Sequence, residues 1–73
     1  MDITKFNKTL KSKVALAKSY EKNDEINLAI KLWLEITEIT LNFSKSQSID
    51  TVYKNMLITR TKNILDHIKN LNL

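Results

Sequence analysis

Residues 27–44 read NLAIKLWLEITEITLNFS and carry more apolar side chains than one helix face can bury. Leu28, Ala29, Ile30, Leu32, Trp33, Leu34, Ile36, Ile39, Leu41 and Phe43 spread around most of a helical wheel. A helix apolar nearly all round is either central in its own bundle or waits for a surface from outside. The flanks of this stretch indicate both.

On its N-terminal side, Ile3, Phe6, Leu10, Val14 and Ala17 recur at spacings of three and four, the stripe of an amphipathic helix. The stripe fades at EKND, residues 21–24, where Asn23 and Asp24 supply a turn and the next N-cap. No glycine is present to end that helix, and Asn23 is the expected substitute. On the C-terminal side, the polar run SKSQS at 44–48 reads as a loop, and Asp50, or else Ser48, as the cap of a third helix. The third stripe is Tyr53, Leu57, Ile64, Ile68 and Leu71, with Val52 and Met56 beside it. Short loops force antiparallel neighbours. The expectation is an all-α, up-down-up three-helix bundle with helices at about 3–22, 25–44 and 50–71, forming one domain over residues 1–73.

Composition supports this reading and narrows the functions. The chain of 73 residues contains no Gly, no Pro and no Cys. Without glycine, phosphate-cradling loops and nucleophile elbows lose their usual residue. Without cysteine there is neither a disulfide framework nor a thiolate metal site. His67 is the single histidine, so no metal is expected, and it reads as an ordinary surface or half-buried residue. A bundle of this size has little room for a desolvated pair of carboxylates, so no enzyme, cofactor or small-molecule substrate is expected. Charges interrupt every apolar run and the N-terminus lacks an apolar signal core, which makes the cytoplasm the default location.

The apolar surplus has a definite placement. The core stripe of the second helix takes Ile26, Ala29, Ile30, Trp33, Ile36, Thr40 and Phe43, with Leu32 and Ile39 at its border. Leu34 and Leu41, seven apart, share another face with Thr37 and Glu38, and Ile58 and Leu65 repeat that spacing on the third helix. Facing flanks would make an elongated apolar groove between helices 2 and 3, the shape that receives an amphipathic helix. Dispersed surface leucines or a homodimer seam would give the same pattern.

YEKNDEINLAIKLWLEITEITL and LITRTKNILDHI resemble the microtubule-interacting and trafficking (MIT) domain, a three-helix module found at the N-terminus of ESCRT-linked AAA ATPases. Ala29 and Trp33 stand at the small and aromatic positions of its second helix. Leu57, Ile58, Arg60, Thr61, Ile64 and Ile68 follow the pattern of its third. The resemblance runs from about Leu10 to Leu71. It implies a module that binds short C-terminal motifs of ESCRT-III-type filament proteins, recruits an attached ATPase to membranes through that partner, and is itself monomeric. The chain from Met1 to the end of its third helix would then be an N-terminal domain with the ATPase to follow. One family motif is a helix between helices 2 and 3, the groove favoured here because the apolar surplus falls on it, which implies contacts from Leu34, Thr37, Glu38, Leu41, Lys54, Ile58, Thr61, Lys62 and Leu65. Another is an extended segment between helices 1 and 3, for which Leu16 and Tyr20 are the candidates. Thr59 and Lys62 stand where the family carries acids. With Lys54 nearby, this argues against a basic motif and for one that is acidic or held by apolar contacts.

The remaining charges carry the rival reading. Net charge is +4, and between Ile3 and Tyr20 there are five lysines and no acid. A basic face of Lys5, Lys8, Lys11 and Lys18 could bind nucleic acid or an anionic membrane. The patch lacks arginine, and Phe6 is the sole aromatic interleaved with it, so nucleic acid is not the expected partner. Arg60 is expected to lay its stem over the core and pair with Asp66 or Glu38. Trp33 is expected in the core, with its indole N–H served by a helix end or a water.

Overall fold

In a computed structural model that describes residues 2–46 and 50–71, the chain forms three α-helices. They are α1 (Ile3–Lys22), α2 (Ile26–Ser46) and α3 (Thr51–Leu71). α1 packs on α2 and α2 on α3, so the stretch at 27–44 is the central helix. The expected three-helix bundle is the observed one.

Local chemistry sets the helix ends. Asp2 caps α1 by accepting the Lys5 N–H at 2.8 Å, and the Asp50 carboxylate accepts the N–H groups of Val52 and Tyr53 at the start of α3. Such caps satisfy donors that have no partner within the helix, at about 1 kcal/mol each. α1 closes with the Glu25 N–H bonded to the Tyr20 carbonyl and the Asp24 N–H to the Glu21 carbonyl. This paired closure needs a left-handed residue just past the cap. Asp24 takes that position at φ 63°, while Asn23 sits at φ −91°. The glycine substitute is therefore Asp24 and not Asn23, and α2 begins at Ile26, later than a cap at Asp24 would allow.

The polar run after α2 also begins later than its composition suggests. Ser44 is buried, its hydroxyl donates to the Leu41 carbonyl at 2.7 Å, and helix continues to Ser46. Gln47 and Ser48 of that expected loop, and Ser48 as the alternative cap, lie outside the described residues.

Phe6, Leu10 and Ala17 of α1, Ala29, Leu32, Trp33, Ile36 and Phe43 of α2, and Leu57, Ile64 and Ile68 of α3 make one apolar core. Phe6 and Phe43 stack with ring centroids 3.9 Å apart. Four hydroxyl residues are buried with them: Thr37, Thr40, Ser44 and Thr61. Each threonine donates to the carbonyl four residues earlier in its own helix, which makes burial tolerable. Ile3, expected in the α1 stripe, is half exposed at the first position of the helix, one turn before the first buried residue, Phe6.

Candidate functional site

α1 and α3 flank α2 without meeting. Among the described residues no Cα of one lies within 8 Å of a Cα of the other. The molecule is 22 Å wide and 14 Å thick across its long axis, whereas three mutually packed helices would be about as thick as wide. In cross-section it is an opened V with α2 at the apex.

Two side-chain bridges span the opening. The Tyr53 hydroxyl and Asn7 Oδ1 lie 3.3 Å apart at one end. At the other, His67 Nε2 and Glu21 Oε2 lie 2.9 Å apart. Both join residues 46 apart in sequence, so α1 and α3 run parallel in constant register and Val14 stands level with Arg60. Between the bridges, over roughly 20 Å of helix, lies a cleft of two adjoining hollows of about 810 and 700 Å³. Trp33, Ile64, Lys18 and Arg60 border both hollows. Leu10, Val14 and Met56 add apolar surface, and Lys11 adds a third cation.

Glu21 is fixed by two elements at once. One carboxylate oxygen accepts the indole N–H of Trp33 at 2.6 Å and faces His67 Nε2 at 2.9 Å. The imidazole stands edge-on to the indole, with centroids 5.4 Å apart. Burial alone would raise the carboxyl pKa, but the hydrogen bonds from His67 and Trp33 and the positive charges of His67 and Lys18 outweigh it and hold the value below the ordinary one. An ionised carboxylate only accepts, so Nε2 carries the proton of the His67 bond. The partner of the indole is thus an acid of α1, not a helix end or a water.

The other cations of the cleft are not so engaged. Among the described residues, ion pairs join Lys13 to Glu35 and His67 to Glu21, and none involves Lys11, Lys18 or Arg60. Arg60 borders the cleft, and the expected pair with Asp66 or Glu38 does not form. No group of three or more metal-ligating side chains occurs among the described residues. No described helix is long and apolar enough to cross a membrane.

Neither a protein-family model, nor a curated protein, nor a solved structure matches this chain.

The expected groove between helices 2 and 3 is brought together only in part. Leu34, Ile58 and Leu65 are 49%, 44% and 45% exposed, and Leu41 is half-buried. Glu38, Lys54 and Lys62 are exposed near them in sequence. Thr37 and Thr61, expected as contacts, are 7% and 5% exposed with their hydroxyls committed to their own helices, so they belong to the interior. Leu16 and Tyr20, expected to line the opening between helices 1 and 3, do not. Leu16 projects into solvent away from it, and Tyr20 packs on the core.

The α1 wall of the cleft is the row Asn7, Lys11, Val14, Lys18 and Glu21. Its spacing of four and three was available in the sequence, sharing Val14 with the core stripe and otherwise running beside it. The expected basic face divides accordingly. Lys11 and Lys18 border the cleft, while Lys5 and Lys8 are exposed elsewhere on α1, and the four spread over about 140° of its circumference.

Proposed function

We propose that this chain is a non-catalytic protein-interaction module that holds a short segment of a partner protein in the cleft between α1 and α3. The observation that carries the reading is the gap between two parallel helices, floored by the indole of Trp33 and by Ile64. A cleft with an apolar floor and a few convergent polar groups is the ordinary form of a binding site. The resemblance to MIT domains supports an ESCRT-III-type C-terminal motif as the partner. It equally supports a cytoplasmic module that reaches membranes through that partner and brings an attached AAA ATPase with it. A single short segment binds at about micromolar strength, near −8 kcal/mol, and a filament presenting many copies adds avidity.

A second reading places a partner helix across α2 and α3. It is favoured by the exposure of Leu34, Ile58 and Leu65 at heptad spacing on adjacent helices. Binding of nucleic acid or membrane by α1 draws less support, because its lysines do not share one face.

An NMR titration of the labelled domain with C-terminal peptides of ESCRT-III-type proteins tests the proposal. Shifts at the Trp33 indole N–H, Val14 and Arg60 are expected. Shifts confined to Leu34, Leu41, Ile58 and Leu65 would transfer the function to the second surface. Ile58→Asp should leave cleft binding and the helical signal intact. Abolished binding by a folded Ile58→Asp domain would likewise select the second surface.

A further inference from the structure

We infer that the cleft selects an acidic segment, one in which carboxylate side chains flank a large apolar residue. This rests on the proposal that the cleft docks a protein segment, and adds what that segment must carry.

The charges of the cleft are one-sided. Lys11, Lys18 and Arg60 surround the apolar floor, and none has an acidic partner among the described residues. The single acid among the residues that border the cleft, Glu21, lies at one end of it, where one carboxylate oxygen is engaged by both Trp33 and His67. A basic segment would bring like charges together over a low-dielectric floor, a cost that grows with desolvation. An acidic one would give the guanidinium of Arg60 the planar carboxylate partner its geometry suits.

The positions of the cations set the spacing. Lys11 and Lys18 are seven residues apart on α1, about 10.5 Å along its axis. The constant register of the two bridges places Arg60 opposite Val14, midway between them. Two acids four residues apart share one face of either a helix or a strand, about 6 Å or 13 Å apart. These separations bracket that of the lysines, whose flexible stems reach either. In an extended segment the residue midway between the acids shares their face and falls on Trp33 and Ile64, which border both hollows.

Three synthetic peptides of about twelve residues would test this. They share leucines at the central positions and differ at two sites four apart, which hold Glu, Gln or Lys. Binding to the full 73-residue chain is followed by the indole N–H resonance of Trp33, the only tryptophan. The Glu peptide is expected to bind at least about tenfold more tightly than the Lys peptide at roughly 50 mM salt. The gap should narrow at roughly 500 mM as the Debye length shortens. Arg60→Gln should cost the Glu peptide about three- to tenfold and leave the Gln peptide unchanged.

Equal binding of all three peptides would overturn the acidic preference while leaving the docking cleft standing. Silence from all three would overturn both. A short DNA duplex that shifts Trp33 as strongly as the Glu peptide would also overturn the inference, since polyanion charge without an apolar anchor would then suffice.

Discussion

The two contacts that α3 could make differ sharply. Against α2 it packs closely, with Thr61 buried on its own side and Thr37, Thr40 and Ser44 on the buried face of α2. Toward α1 it presents Met56, Arg60 and His67, and α1 answers with Lys11, Lys18 and Glu21. Small residues whose hydroxyls bond back to their own helix let backbones approach. Long and charged residues cannot be desolvated against one another without matched partners. Here only Glu21 and His67 are matched, and the two helices are joined by side chains while their backbones stay apart. A closed seam and an open cleft thus arise beside the same central helix from the size and charge of the flanking rows.

The largest blow to this arrangement should come from Trp33→Ala, which removes both core volume and the cleft floor. A loss of about 3–5 kcal/mol is expected in chemical denaturation. A loss under about 1 kcal/mol would mean that the indole rests in the cleft without supporting the core. Thr61→Leu attacks the closed seam by forcing a larger side chain between helices, and should cost about 1–3 kcal/mol. If it is neutral, the spacing of α2 and α3 is not set by small residues.

The Glu21 bridge predicts a pH dependence. A carboxyl whose pKa is lower in the folded than in the unfolded chain contributes stability that is present above the ordinary carboxylate value and lost as pH falls through the depressed one. The acid limb of the stability curve, below about pH 4.5, should therefore be flatter in Glu21→Gln than in the parent. Identical limbs would show that Glu21 gains nothing from Trp33 and His67. The smallest effect belongs to Arg60→Gln, an exposed cation of the open cleft with no ion pair among the described residues, which should change stability by less than about 0.5 kcal/mol. A larger loss would place Arg60 among the supports of the fold.

Much of this was legible in the residues themselves. The apolar circumference of residues 27–44 marked the central helix, because a helix packed on two sides buries more of its circumference than a single stripe. Asp50 announced its cap, since a carboxylate just ahead of a periodic run has free N–H groups to accept. The turn at 23–24 is legible, but the residue that replaces glycine is Asp24, one position after the expected Asn23. Asn and Asp both tolerate left-handed backbone, and only the closing bonds of Tyr20 and Glu21 fix which of them is just past the cap.

Periodicity assigned each residue to a face, and that determined the three helices, the core and the apolar surplus on α2 and α3. Which flanks would close was not in the periodicity. Thr37 and Thr61 look like polar rim residues until packing buries them, with their hydroxyls bonded back to their own helices. Lys11, Lys18 and Arg60 look like solvated charges until two parallel helices hold them around one tryptophan. A residue's face is a property of its own helix, whereas a cleft depends on the distance between two helices, and that distance follows from how all three pack.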